Sequence, residues 1–376
     1  MVKMRICIVS DFFIPHYNGG GERRYYEIAR RMVEKGHSVD LVCMRIQGVN
    51  SREIIDGINI HHIGPAIRKP PYRNVFDFIY FILSAFWWII SHDYDVIDAQ
   101  TYVPLVPGFF AAKIKGKKVI GTIHDASSSE QDQWLILSGL ASIFEKILVK
   151  LPFNKIITVS KSTKKALIEN YHVNPERIQV VHNGVDLEWI DSLEIDEKYE
   201  NSIIYVGRLA PHKHVDDLIR SVKFLKEGLP NIKLRIVGDG VERESLIKLV
   251  KDFKLDKNIE FLGEIDYTDV ILEMKKSNVL ALPSTREGFG MVLAEAGACR
   301  IPVVTYNVGG VVEVVEDGKN GFLVEPRDIR AMTEKIHFLI SSNNSMKEMG
   351  DYGYRKVNSL FQWDKIVQHI IGLYSD

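Results

Sequence analysis

Val279-Leu-Ala-Leu-Pro283 runs into Ser284-Thr-Arg-Glu-Gly-Phe-Gly-Met-Val-Leu-Ala-Glu-Ala-Gly-Ala298. The first five residues read as a buried parallel strand, and the stretch ends in a run of helix formers. Between them lies a turn carrying Glu287, Gly288 and Gly290. Such a turn lets a ligand approach backbone N–H groups, and the helix N-terminus favours anions. Glu287 falls on the loop and Glu295 near the first turns of the helix, so both carboxylates can serve one crevice at the carboxyl end of a sheet. Carboxylates beside a phosphate-friendly turn suit a ligand with diols and phosphates, such as a nucleotide sugar. For Glu295 the alternative is a carboxylate that merely complements the helix dipole.

The same strand–turn–helix alternation extends in both directions. Residues 4–10 form a first strand, followed by Gly19-Gly20-Gly21 and a helix whose apolar positions are Tyr25, Ile28, Ala29, Met32 and Val33. Residues 38–44 make the next strand. Further strands are expected at 96–97, 119–123, 156–159 and 178–181, with helices at 74–91, 103–112, 139–150 and 160–171. After a polar stretch at 188–201, strands recur at 203–206, 234–237, 259–262, 279–282, 302–305 and 322–324. The repetition implies an α/β chain of two doubly wound parallel-sheet, Rossmann-like domains facing a cleft. The expected division is 1–188 together with 358–376, and 189–357.

Composition bounds the function. The 376 residues are 46% hydrophobic with a formal net charge of −1, which gives no general pull toward nucleic acid. Residues 1–188 hold 23 basic and 19 acidic side chains, a mild excess that suits an anionic acceptor or membrane surface. Cys7, Cys43 and Cys299 make no disulfide framework. The opening residues lack a signal-peptide pattern, so a cytoplasmic protein is expected. The longest apolar run, Phe78 to Ile90, is too short to span a bilayer and reads as a buried helix rather than an interfacial one.

Several side chains have alternative readings. Arg208 and Lys213 flank a helix start and could converge on a diphosphate, or be solvated surface cations. His124-Asp125, at a strand end, could be a hydrogen-bonding pair at a reacting centre or a cap with a neighbouring His. Asp93-Tyr94-Asp95 precedes a strand and reads as a turn rather than a metal motif. No structural-zinc spacing, nucleophile elbow or Walker A sequence is present.

Together these stretches resemble the family-4 retaining glycosyltransferases of the two-Rossmann-domain (GT-B) type. The resemblance covers nearly the whole chain. It includes Gly19-Gly-Gly-Glu22, Gly36-His-Ser-Val39, Thr122-Ile-His-Asp125, Asn183-Gly-Val-Asp186, Gly207-Arg-Leu209 with Lys213, Gly238-Asp-Gly240, Glu287 to Glu295, and Gly309-Gly310 with Glu313. It implies that Arg208 and Lys213 hold the donor diphosphate, with Gly20 and Gly21 approaching the phosphates or the acceptor. Glu287 would bind donor-sugar hydroxyls with help from Gly288, Phe289 and Gly290, and Glu295 the ribose. Leu262, Gly263 and Ile265 would face the base, and His124 would act with Glu287 at the reacting centre.

The implied reaction moves a hexosyl group from a UDP- or GDP-sugar to a hydroxyl acceptor, a glycan, a small molecule or a lipid-linked one, without cofactor or metal. The last helix would cross back to the first domain. The apolar helix with Arg68, Lys69 and Arg73 before it raises a lipid-linked acceptor and peripheral membrane contact through the N-terminal domain. A nucleotide-sugar epimerase or phosphorylase of the same fold, and a non-catalytic carbohydrate-binding protein, are the rival classes. One departure is visible: many relatives carry a His near residue 98, where this chain has Asp98-Ala99-Gln100, which puts acceptor contacts near Thr101 in doubt.

Overall fold

Strands that are apolar along their whole length must be covered on both faces, and here they are. β1 (Arg5–Val9) buries every residue after the first, and β12 (Val279–Leu282) buries all four. The computed structural model describes residues 3–17, 19–68, 70, 73–126 and 144–375. Of the helix expected at 139–150, residues 139–143 lie outside the described residues, and 144–148 are helical.

The chain forms two compact units, Met1–Asn183 with Trp363–Asp376, and Gly184–Gln362. The polar stretch at 188–201 begins inside the helix Leu187–Ser192 and belongs to the second unit. In the first unit the remaining strands are β2 (Ser38–Ile46), β3 (Arg52–Ile55), β4 (Ile58–Ile67), β5 (Val96–Gln100), β6 (Lys118–Ile123), β7 (Lys155–Thr158) and β8 (Ile178–Val180). They order as β3-β4-β2-β1-β5-β6-β7-β8, and every pairing is parallel except β3 with β4.

The second unit contains β9 (Ser202–Val206), β10 (Lys233–Val237), β11 (Ile259–Gly263), β12, β13 (Val303–Tyr306) and β14 (Gly321–Val324). Their order is β11-β10-β9-β12-β13-β14, all parallel. Each sheet therefore has a point where the winding reverses: between β1 and β5 in the first, between β9 and β12 in the second. Loops leaving neighbouring strands diverge there, and their carboxyl ends are where open α/β sheets take ligands.

The helix Val75–Ser91 departs from expectation. It buries only Phe81, Ala85 and Ile89, while Phe76, Ile79, Tyr80, Leu83 and Trp87 are each at least half exposed. Phe81, Ala85 and Ile89 pack against β4 and the helix Leu105–Ile114, Phe78, Phe86, Trp88 and Ile90 pack in part against the same core, and the face carrying Phe76, Ile79, Tyr80, Leu83 and Trp87 is left exposed. The expected buried helix is thus a surface helix. The last helix, Trp363–Ser375, belongs to the first unit and packs against the helix Gly20–Glu34.

Candidate functional site

In the second unit the loops after β9 and β12 meet at the winding reversal. The Thr285 N–H donates to the His212 carbonyl at 2.9 Å, and Lys213 Nζ lies 2.5 Å from Glu287 Oε1. Both side chains are mostly enclosed, 16% and 13% exposed, so this pair is held in place rather than solvated. Lys213 ends a short 3-10 turn, Pro211–Lys213, and His214 adopts a left-handed conformation that launches the helix Val215–Gly228. Arg208 is exposed and follows Gly207 directly beyond β9. Burial and the adjacent Lys213 push the His212 imidazole down to about 4, so it adds no charge near neutral pH.

Gly309 and Gly310 underlie the Glu287 loop. A Cβ on Gly309 would lie 2.1 Å from the Glu287 carbonyl oxygen, and one on Gly310 2.1 Å from that of Gly288. Only glycine permits this backbone approach, so the pair fixes the height at which Glu287 is presented. Gly290, at φ 80°, caps the helix Met291–Ala298. Phe289 is buried against Phe361 with ring centroids 5.3 Å apart, so its side chain is committed to the core and only its backbone is presented by the loop.

Glu295 is buried in that helix and accepts a 2.9 Å hydrogen bond from the Tyr267 hydroxyl. The Tyr267 ring stacks on Trp189 at 5.2 Å with a 10° interplanar angle. Leu262, Gly263 and Ile265 lie at the carboxyl end of β11 and just beyond it, partly exposed, two to five residues before Tyr267. The stretch expected to face a base is therefore continuous in the chain with the residue that orients Glu295. Glu295 bears a specific hydrogen bond, which a carboxylate serving only the helix dipole would not need. Tyr267→Phe is expected to weaken nucleotide binding about tenfold, the loss of a hydrogen bond to a charged group, and to lower the melting temperature by a few degrees while the fold survives. Calorimetric titration with the nucleoside diphosphate checks it; unaltered affinity refutes a role for Tyr267.

In the first unit Gly19 is the N-cap of the helix Gly20–Glu34, which begins beyond β1. A Cβ on Gly21 would sit 3.8 Å from His124 Nδ1, so the glycine turn and the histidine share one locality. His124 Nε2 pairs with Gln100 Oε1 at 3.0 Å, and Tyr25 packs edge-on to the imidazole at 5.9 Å. With the Gln100 carbonyl oxygen facing it, Nε2 carries the proton and Nδ1 is the acceptor.

Enclosure, reinforced by the Arg24 charge, pushes His124 down to about 3. The sign follows directly: the unfolded chain takes up this proton below about pH 6.5 and the folded chain does not. The stabilising contribution is full above pH 6.5 and is lost as pH falls from 6.5 toward 3. Nitrogen-15 NMR of the imidazole is expected to show a neutral Nε2–H tautomer throughout pH 5–8; a titration midpoint near 6.5 would overturn this.

The Asp98 departure is also resolved. Asp98 is buried in β5 and accepts from Thr122 Oγ1 at 2.8 Å and from the Tyr374 hydroxyl, while Gln100 occupies the strand end beside His124. Thr101 follows at φ 64°. Arg24 is buried too: Nη1 donates to Asn183 Oδ1 at 2.6 Å and to the His182 carbonyl at 2.8 Å. Asp93 pairs with Lys117 at 2.9 Å and Asp95 accepts from the Arg5 N–H at 2.7 Å, so both carboxylates tie the connector to other segments rather than closing a local turn. The structure thus joins Lys213 with Glu287, and His124 with Gly21. Sequence reasoning missed Gln100 as the partner of His124, Tyr267 on Trp189 as that of Glu295, and the buried Arg24.

Two family models match. Residues 186–356 match "Glycosyl transferases group 1" and residues 18–189 match "Glycosyltransferase Family 4". An uncharacterized glycosyltransferase of Methanocaldococcus jannaschii is 35% identical over 317 residues, 82% of this chain and 84% of that one. Among solved structures, sucrose-phosphate synthase from Thermosynechococcus elongatus superposes with a TM-score of 0.86 at 21% identity, covering 99% of this chain and 98% of that one. The Anabaena protein HepE in complex with UDP-glucose gives 0.78 at 20% identity, covering 99% of both chains. With two parallel-sheet α/β units, a close relative among the glycosyltransferases, and both family models matched in order along the sequence, the chain belongs to the family-4 glycosyltransferases and is a glycosyltransferase of GT-B fold.

Proposed function

We propose that this enzyme transfers a hexosyl group from a UDP- or GDP-sugar to a hydroxyl acceptor, with retention of the anomeric configuration and without a metal ion. The observation that carries the reading is the enclosed Lys213–Glu287 pair at the winding reversal of the second unit. A carboxylate there can accept from sugar hydroxyls, and an ammonium beside it can meet a phosphate. The Anabaena neighbour that binds UDP-glucose supports a nucleotide-sugar donor.

In the proposed step the bond between the anomeric carbon and the diphosphate oxygen breaks, leaving oxocarbenium character on the sugar. Lys213 and Arg208 offset charge on the departing diphosphate, the work a metal would otherwise do. The acceptor oxygen bonds to the same face of the anomeric carbon, and its proton passes to an oxygen of the leaving diphosphate. Glu287 holds the donor-sugar hydroxyls, Glu295 the ribose diol, and residues 262–265 face the base. His124 Nδ1 accepts from a hydroxyl of the transferring sugar, and Gly20 and Gly21 leave room for phosphate or acceptor.

A thermal-shift screen against UDP-, GDP- and ADP-sugars tests the donor class, because donor binding raises the melting temperature. No shift with any of them refutes it. Product NMR tests the stereochemistry, since an inverted anomeric centre excludes retention. Transfer that persists in excess EDTA supports the metal-independent step; its loss with the melting temperature unchanged refutes it, whereas loss together with a lowered melting temperature reports a bracing ion instead.

A lipid-linked acceptor is the second reading, favoured by the exposed face of Val75–Ser91, which carries Phe76, Ile79, Tyr80, Leu83 and Trp87. Contiguous apolar surface of this kind marks a contact with another apolar phase. Among the described residues no helix is long and apolar enough to cross a membrane, so the proposed contact is peripheral. Cosedimentation with anionic vesicles checks it; retention in the supernatant counts against it.

A further inference from the structure

The first unit holds a cluster that the transfer reaction does not use. His16 leaves the loop after β1, Glu53 lies in edge strand β3, and His62 lies in β4. Their ligand atoms lie within 4.8 Å of one another. His16 Nε2 is 2.8 Å from Glu53 Oε2, and His62 Nε2 is 3.1 Å from the same oxygen. Two imidazole nitrogens from separate segments thus converge on one carboxylate oxygen, with the rings 5.6 Å apart at 70°.

We propose that His16, Glu53 and His62 bind a divalent transition-metal ion of the zinc class. Two imidazoles and a carboxylate are a complete three-ligand set for zinc, leaving one tetrahedral position for water. Imidazole nitrogen selects zinc, cobalt or nickel over magnesium and calcium. Ligands about 2.0–2.1 Å from a tetrahedral ion lie roughly 3.3–3.4 Å apart. The two nitrogen–oxygen separations therefore need to open by a few tenths of an ångström, within reach of side-chain rotation.

The surroundings are built to hold the ligands. His62 is buried, and its Nδ1 faces Cys43 Sγ at 3.4 Å, so the ring is fixed from behind with Nε2 turned to the site. The loop bearing His16 is anchored by buried Phe12 and Phe13. Glu53 projects from a strand whose register on β4 is set by the pairs Glu53–Ile60 and Arg52–His61. The ion would clip the loop between β1 and the Gly19–Gly21 turn to the β3–β4 hairpin. Its role is to brace that loop, and it is separate from the proposed chemistry at Lys213 and Glu287 in the second unit.

The test uses the full chain stripped with chelator and dialysed, then titrated with Zn2+ alone or Co2+ alone. The expected results are one equivalent bound, a raised melting temperature with Zn2+, and visible d–d absorption of tetrahedral intensity with Co2+. His16→Gln and Glu53→Gln, both at partly exposed side chains, should fold with the metal-free melting temperature. Each should bind roughly tenfold or more weakly, at least the cost of losing a supporting partner. Absence of stoichiometric binding overturns the proposal, leaving a hydrogen-bonded triad. So does binding undiminished in both variants, which would place the ion on other histidines. Donor thermal shifts measured on the same samples separate this outcome from the fate of the transferase reading.

Discussion

Glu287→Ala and Lys213→Ala are each expected to lower the transfer rate by about a hundredfold or more, the cost of deleting one pre-positioned group that meets charge developing in the transition state. The fold should survive. The pair lies at 16% and 13% side-chain exposure, so the partner left behind is only partly rehydrated and each change lowers stability without unfolding the unit. The loop keeps its backbone anchors, Thr285 N–H on the His212 carbonyl and Gly310 N–H on the Glu287 carbonyl at 3.0 Å. Circular dichroism should therefore stay close to wild type, with a single cooperative melt at a modestly lowered temperature. The double variant should be far less than multiplicative, because each single change already disrupts a shared arrangement. Near-normal transfer in both single variants would remove the pair from the site. A loss of activity that tracks a collapsed melting temperature would show a structural role instead.

What was legible in the sequence followed from local chemistry. Apolar runs gave the parallel strands, and the glycines at 19–21, 207 and 288–290 marked loops that do leave strand ends at winding reversals. The β3–β4 hairpin was missed although its signal was present: Asp56-Gly57, with φ of 48° and 77°, is a two-residue turn of the kind that joins antiparallel strands. Its first strand, Arg52–Ile55, is short and half exposed, so it lacks the apolar run that revealed the others. The helix Val75–Ser91 misled for the opposite reason. Its composition demands burial, and composition cannot say how few neighbours a surface helix meets.

The partners of the site residues were illegible because they depend on distance through the fold. Tyr267 and Glu295 are 28 positions apart, and Gln100 and His124 are 24. Arg24 stands amid Arg23, Arg30 and Arg31, yet it is 1% exposed and its Nη1 donates to Asn183, 159 positions away. Asp98 and Tyr374 are separated by 276 positions and meet only because the last helix belongs to the first unit.

Ending the chain at Gln362 is expected to unfold that first unit, although only fourteen residues are removed. The helix Trp363–Ser375 buries Trp363, Ile366, Val367, Ile370, Ile371, Leu373 and Tyr374. At about 1.5–3 kcal/mol for each apolar side chain taken from water, burial of these seven contributes about 10–20 kcal/mol as an upper range. That matches the whole margin of a typical domain, about 5–15 kcal/mol. Its polar contacts add to this, with Lys118 Nζ donating to the Tyr374 carbonyl at 3.0 Å and Lys35 3.5 Å from Asp364. Limited proteolysis of the truncated chain should cut within residues 1–183 and spare 184–362. A retained cooperative melt for the first unit would refute the argument.

Tyr374→Phe isolates one contact from the rest. Burial pushes the Asp98 carboxyl up to about 6 even though Tyr374 and Thr122 donate to it. Because the folded value exceeds the unfolded value near 3.9, Asp98 lends stability at low pH and loses it as pH rises from about 4 through 6. The Tyr374 hydroxyl limits that loss by serving the ionised form. Its removal should therefore cost about 1.5–3 kcal/mol at pH 7.5, as for a hydrogen bond to a charge, and less at pH 4.5, where the carboxyl is protonated. Equal destabilisation at both pH values would mean that the hydroxyl contributes packing alone, and that the last helix is held by its apolar face without help from Asp98.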